Sequence, residues 1–185
     1  YRGYIQERLN EKDAGEYIDV AMALLWQESG GRGDDPFQAS EGHCGAIGCI
    51  TDPAESAKAG MDIFMNHYQR AVVENGLDIW VVLAAYNFGG SFIDYVIDNG
   101  ESTWSLELAL GFQEKQGKTT GFALTGEVAK LVGLEGVKST HGSTLYPLNN
   151  MKLRGASDED ILAVANGQGF SGSVKMVEVD EEKTP

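Results

Sequence analysis

The segment Ala23-Leu24-Leu25-Trp26-Gln27-Glu28-Ser29-Gly30-Gly31 is the strongest constraint on how this chain folds. Apolar residues recur upstream of it with helical spacing, at Tyr17, Ala21, Leu24 and Leu25. Glu28 is the next position on that stripe, so its carboxyl group lies on the core-facing side where Ser-Gly-Gly ends the helix. Apolar surroundings raise the pKa of a carboxyl group, as a general acid near neutral pH requires. The alternative to a general acid is that Glu28 lies at a frayed helix end, half exposed to water, with no catalytic role.

Two further segments combine polar side chains with turn residues. Leu83-Ala84-Ala85-Tyr86-Asn87-Phe88-Gly89-Gly90 is a second apolar helix that ends in a polar pair and glycines. Between the two helices lies Asp35-Pro36-Phe37-Gln38-Ala39-Ser40, a loop rich in hydrogen-bonding side chains. The sequence therefore predicts two helix ends and one polar loop around a common site.

Taken in order, these motifs resemble the lysozyme-like superfamily of goose-type lysozymes and soluble lytic transglycosylases. The resemblance covers roughly residues 14–100. It is nearest to the lysozyme-like domains of bifunctional wall hydrolases carried by Gram-positive conjugative elements and phages, as Gln27–Ser40 and Thr51–Ser56 indicate. It implies a mainly α, lysozyme-like helical domain with a substrate cleft and a loop-rich C-terminal part. The implied activity is cleavage of the N-acetylmuramic acid–β-1,4–N-acetylglucosamine bond of peptidoglycan, by an N-acetylmuramidase or a lytic transglycosylase.

The resemblance also implies roles for single residues. Glu28 is the expected general acid. Contact with substrate or support of the acid is expected from Ser29, Gln38, Ser40, Tyr86 and Asn87. Gly45–Ile50 also resembles a transglycosylase stretch, but the Gln that ends that stretch is missing here. Gln38 is the preferred cleft glutamine, because the surrounding Asp-Pro-Phe-Gln-Ala-Ser agrees with the nearer branch of the family. Tyr86 and Asn87 also have purely structural alternatives: Tyr86 could lie at the rim of the core, and Asn87 could cap a helix.

The sequence leaves open whether a second catalytic carboxylate is present. Many glycosidases use one, whereas lytic transglycosylases, by resemblance, do without it: the acid becomes the base, and the sugar's own 6-hydroxyl closes an anhydro ring. The candidates, which are also typical turn or cap residues, are Asp34, Asp35, Glu41 and Asp52. Asp35, beside the Gln38 loop, is the first choice.

The composition limits which classes of molecule this chain can bind. The formal net charge is −14, with 28 acidic and 14 basic residues, so phosphate repulsion argues against nucleic acid. Binding to glycan strands would then depend on a local groove rather than on overall charge. The sequence contains no apolar run of membrane-spanning length and no basic, apolar leader, so we expect any anchor to lie outside it. We expect an extracellular, cell-wall or virion-associated protein with further domains or phage or conjugation machinery as partners.

Neither a cofactor nor a metal is expected. Cys44 and Cys49 are spaced for a small disulfide loop in an oxidising setting. His43, His67 and His141 lack the spacing of metal ligands.

Helical patterns extend along most of the chain. We expect a helix over 14–28 capped by Asp13, and further helices capped by Asp52, Asp78, Ser91 and Ser157. A weaker helical pattern covers 123–132, the segments 115–126 and 136–150 resemble loops, and 174–179 resembles a strand before an acidic tail. Residues 1–100 are the expected catalytic core. Residues 101–185 are expected to complete the same domain or to form an extension.

Two other functions fit the same sequence. One is a wall-binding module that kept the groove and lost the chemistry, against which Glu28 counts. The other is a structural component of a phage tail or conjugation apparatus that docks through residues 101–185.

Overall fold

The computed structural model describes residues 1–116, 122–139 and 144–168. The helices before residue 100 are α1 (Arg2–Asn10), α2 (Ile18–Ser29), α3 (Ser40–Cys44), α4 (Pro53–Tyr68), α5 (Ile79–Phe88) and α6 (Ser91–Asp98). A 3₁₀ turn over Gly15–Tyr17 leads into α2, and a π-helical turn over Gln69–Val73 continues α4. The later elements are α7 (Leu106–Lys115), β1 (Phe122–Ala123), α8 (Glu127–Leu131), β2 (Lys138–Ser139), α9 (Tyr146–Leu153) and α10 (Asp158–Ala165).

Helix α5 lies at the centre of the fold. Its residues Trp80–Ala85 are all buried, so the helix is apolar on every side rather than along one stripe. Helices α4, α6 and α9 pack around it, and α2 packs against α9. The mainly α class expected from the sequence is confirmed.

Three of the expected helix caps are present. The Asp52 side chain accepts a hydrogen bond from the Ala54 amide, and the Asp78 side chain accepts one from Val81. Ser157 caps α10 at the expected position. Each side chain accepts a hydrogen bond from an amide in the first turn of its helix, which stabilises the start of the helix.

Two expected caps were wrong. Asp13 has a left-handed backbone (φ 54°), and α2 begins only at Ile18, after the 3₁₀ turn. An aspartate tolerates this conformation, which turns the chain from α1 into the next element. Ser91 is the first residue of α6 rather than its cap; Gly90 holds the cap position. Helix α1 had no predicted counterpart.

The second half of the chain contains more regular structure than expected. Strands β1 and β2 form a short antiparallel pair, with Ala123 opposite Lys138. Of the weak helical pattern over 123–132, only α8 is helical. The expected loop over 136–150 was wrong at its end, because α9 begins at Tyr146 with a proline in its first turn. His141, the expected strand over 174–179 and the acidic tail lie outside the described residues. The division at residue 100 stays a prediction.

Helix α4 packs closely on Phe37 through Gly60. A Cβ atom at Gly60 would lie 2.5 Å from both Cβ and Cγ of the buried Phe37 side chain. We therefore expect Gly60→Ala to lower the free energy of unfolding by about 1–3 kcal/mol, measured by urea denaturation. Gly3→Ala in α1 is the matched control, because its added methyl group meets no atom within 4 Å. An equal loss in both variants would contradict the packing explanation.

No helix among the described residues is both long and apolar enough to cross a membrane.

Candidate active site

A groove of about 800 Å³ contains Glu28 in its wall. Its walls come from the end of α2, parts of residues 35–48, one face of α4 and residues 86–90. Both sequence motifs and the polar loop between them therefore open into one cavity. Of the residues expected at the site, the groove is lined by Glu28, Asp35, Gln38, Ser40, Tyr86 and Asn87.

Glu28 lies in the last turn of α2 and is half-buried. Burial raises the pKa of its carboxyl group, a hydrogen bond from Tyr146 opposes that shift, and the negative charge of Asp35 adds to it. The net pKa is above the ordinary value, so the group keeps its proton to higher pH than an exposed glutamate does. The group thus has the pKa direction that a general acid needs.

Tyr146 is the neighbour of Glu28 that the sequence did not identify. Its hydroxyl donates a hydrogen bond to Oε1 of Glu28, and its ring is buried. Two more hydrogen bonds join α9 to α2: Gln27 Nε2 donates to the Tyr146 carbonyl (3.2 Å), and Asn150 Nδ2 donates to the Val20 carbonyl (3.2 Å). The position of the Tyr146 hydroxyl is therefore set by the docking of one helix on the other.

Asp35 organises the loop that follows α2. Oδ1 accepts hydrogen bonds from the Ala39 amide (2.9 Å) and the Ser56 hydroxyl (2.6 Å), and Oδ2 accepts them from the amide and hydroxyl of Ser40 (3.0 and 2.6 Å). Burial opposes ionisation of this carboxyl group, but the four hydrogen bonds outweigh it and hold its pKa below the ordinary value. Asp35 is thus a fixed negative charge in the groove, near enough to Glu28 to act on its pKa.

Tyr86 reaches the Phe37 backbone rather than Glu28. Its hydroxyl donates to the Phe37 carbonyl (2.8 Å), and burial raises its pKa well above the ordinary value, so it stays neutral. Gln38, the next residue, has a left-handed backbone (φ 50°) and an exposed side chain whose Nε2 donates to the Asp35 carbonyl (3.0 Å). Tyr86 therefore fixes the backbone beside Gln38.

The two serines are engaged within the protein. Ser29 Oγ donates to the Pro36 carbonyl (2.7 Å), accepts from the Gly31 and Arg32 amides, and does not line the groove. Ser40 is buried, and its hydroxyl donates to Asp35 and accepts from the Ile50 amide (3.2 Å). Both hydroxyls thus hold the loop in place, and a substrate contact from either stays a prediction.

The other candidate carboxylates are less closely tied to Glu28. Glu41 lines the groove with an exposed side chain, Asp34 is exposed outside it, and Asp52 caps α4. Cys44 and Cys49 form a disulfide near the Ser40 carbonyl group. Among the described residues, no group of His, Cys, Asp and Glu side chains is arranged to hold a metal ion.

Several known proteins are similar to this chain in sequence. The family model described as lysozyme-like matches residues 1–151. The bifunctional muramidase/DL-endopeptidase CwlT of Bacillus subtilis is 34% identical over 69% of this chain and 37% of its own length. The uncharacterized membrane protein YocA of B. subtilis is 34% identical over 64% of this chain and 52% of its own. The chain thus spans about half or less of these relatives.

A solved structure gives the same fold. A crystal structure from Staphylococcus aureus, described as similar to lipoprotein of the NLP/P60 family, has a TM-score of 0.72 and 26% identity. The match covers 82% of this chain and 50% of that one. Since the family model extends over most of its length, this chain belongs to the lysozyme-like family.

Tyr146→Phe tests the hydrogen bond to Glu28. The bond favours the charged carboxylate, so its loss raises the pKa of Glu28 further. If protonated Glu28 is the acid for glycan-strand cleavage, the alkaline limb of the profile of cleavage rate against pH should move to higher pH. The maximal rate should fall by up to about tenfold, because the carboxyl group is no longer oriented. Tyr86→Phe is the control: its hydroxyl bonds to Phe37, so the limb should stay in place. A limb that moves in neither or in both variants would contradict this role.

Proposed function

We propose that this chain cleaves glycan strands of peptidoglycan at the N-acetylmuramic acid–β-1,4–N-acetylglucosamine bond, with Glu28 as general acid. The observation that carries the proposal is the half-buried carboxyl group of Glu28, with a raised pKa, at the wall of a groove of about 800 Å³. Membership of the lysozyme-like family supports the same substrate class, and so does the similarity to the bifunctional muramidase/DL-endopeptidase CwlT.

The reaction begins with the proton on Glu28. The carboxylic acid protonates the glycosidic oxygen, the bond from that oxygen to the muramic acid C1 breaks, and its electron pair stays on the oxygen. Glu28 is now a carboxylate and takes a proton from the group that attacks C1. If water attacks, the product has a reducing end. If the sugar's own 6-hydroxyl attacks, the product is a 1,6-anhydro sugar.

Asp35 fits an electrostatic role better than a nucleophilic one. Each of its carboxylate oxygens already accepts two hydrogen bonds, which leaves little capacity for a covalent bond to C1. Its fixed negative charge can stabilise the positive charge that develops on the sugar. It also helps Glu28 to retain the proton that the first step uses. Because peptidoglycan lies outside the cell membrane, the proposed reaction implies an extracellular or wall-associated site of action.

Mass spectrometry of the soluble fragments released from purified peptidoglycan tests the proposal. Anhydro-muramyl ends would identify a lytic transglycosylase, and reducing muramic ends would identify a muramidase. Either result supports cleavage at the proposed bond. Fragments with reducing N-acetylglucosamine ends, or no fragments at all, would contradict it.

A further inference from the structure

Ile47 is an apolar side chain in an unusual place. It is 85% exposed, the largest value for any large apolar side chain in the described ranges. Yet it also lines the groove that contains Glu28 and Asp35. An isolated exposed apolar residue on a surface needs no explanation, but one at the rim of a binding groove is placed where a ligand would cover it.

The loop that presents Ile47 is closed by a disulfide. Cys44 and Cys49 are joined, and between them Gly45 and Gly48 both have left-handed backbones (φ 74° and 73°). A Cβ atom at either glycine would meet nothing within 4 Å, so the glycines serve the turn rather than close packing. The intervening residues, Ala46 and Ile47, are both exposed.

The base of this loop is tied to the active-site loop. Both sulfur atoms lie 3.3 Å from the Ser40 carbonyl oxygen, and the Ile50 amide donates to the Ser40 hydroxyl (3.2 Å). The same hydroxyl donates to Asp35. Ile50 is itself buried in the core. The position of Ile47 is therefore fixed relative to Asp35 through a short chain of contacts.

We propose that Ile47, held by the Cys44–Cys49 loop, contacts the glycan strand in the groove and contributes to its binding. The inference rests on the proposed function, because it takes the strand as the occupant. Amino sugars present C–H faces and acetyl methyl groups beside their hydroxyls, and these cover apolar surface favourably. A side chain on a closed loop loses less conformational entropy on binding than one on an open loop does.

Equilibrium binding to glycan strands stripped of their peptides tests this contact. All variants are made in a Glu28→Gln background, so that the strands stay intact. We expect Ile47→Ser to weaken binding about fivefold and Ile47→Leu to bind as the parent does. Val73→Ser is the matched control, since Val73 is 56% exposed and does not line the groove. Thermal melting confirms that each variant is folded.

Opening the loop tests the role of the disulfide. We expect the double variant Cys44→Ser/Cys49→Ser to weaken binding by a factor similar to that of Ile47→Ser. Adding Ile47→Ser to the opened loop should then cost little more, because the side chain is no longer held against the strand. Treatment with a phosphine reductant should reproduce the loss in the parent and leave the double variant unchanged. Full additivity of the two changes would overturn the role of the loop.

The experiments distinguish a wrong proposal about Ile47 from a wrong proposal about the cleavage reaction. Unchanged binding by Ile47→Ser, or an equal loss in Val73→Ser, overturns the contact while leaving cleavage by the unmodified chain intact. Weaker binding by Ile47→Ser with no fragments from the unmodified chain supports the contact and overturns the reaction. If the Glu28→Gln parent shows no binding, the KM of the active chain is the readout, and an unchanged KM in Ile47→Ser overturns the contact.

Discussion

Glu28→Gln is expected to reduce the rate of glycan-strand cleavage by about 10²- to 10⁴-fold, the contribution typical of a positioned general acid. Glutamine keeps the size and polarity of the side chain but has no acidic proton to deliver to the glycosidic oxygen. The Tyr146 hydroxyl can still donate to the amide oxygen, so helix α9 should stay docked. Binding to intact strands should therefore be retained.

Glu41→Gln is the matched control for this variant. Glu41 is a second glutamate at the wall of the same groove, but its side chain is exposed and no hydrogen bond joins it to Glu28. Its substitution replaces a carboxyl group of the same groove by the same amide but leaves the proposed acid in place. Rates measured from released fragments should fall in Glu28→Gln and remain within about threefold in Glu41→Gln, because an exposed charge interacts weakly. Similar losses in both variants would contradict a specific role for the proton of Glu28.

The local parts of the site were predictable from sequence. The position of Glu28 on an apolar stripe, directly before Ser-Gly-Gly, requires only helical periodicity. The Asp52 and Asp78 caps follow in the same way from residues within the first helical turn. The resemblance to lysozyme-like proteins added the groove and its other wall. The stripe with Glu28 and the two caps depend only on residues close together in the sequence, so the pattern of residues is enough to predict them.

Tyr146 could not be found in this way. It lies 118 residues after Glu28, in a stretch whose glycines and polar residues indicate a loop. Helix α9 is stabilised instead by tertiary contacts: Gln27 and Val20 of α2 bind its first and second turns. The one local signal is Pro147 in the first turn, which is typical of a helix start but equally of a turn.

Asp35→Asn is expected to destabilise the protein and slow the reaction together. Asparagine cannot accept from all four donors, because its amide nitrogen faces hydrogen-bond donors rather than acceptors. We expect the free energy of unfolding at pH 7 to fall by about 2–3 kcal/mol, as for hydrogen bonds to a charged group. The cleavage rate should fall by about ten- to a hundredfold as the fixed charge is lost. Asp34→Asn, an exposed neighbour, should change neither quantity appreciably.

The pH dependence of Asp35→Asn separates its two effects. The pKa of Asp35 is lowered below its ordinary value of 3.8, so the carboxylate stabilises the fold above that pH, and the benefit is lost as pH falls through the folded-state pKa. The stability difference from the unmodified chain should therefore shrink below about pH 4.

The Asp35 charge also raises the pKa of Glu28, so its removal should move the alkaline limb of the rate–pH profile to lower pH. That shift is opposite to the one expected for Tyr146→Phe. Limbs that moved in the same direction in both variants would contradict the electrostatic coupling of these groups to Glu28.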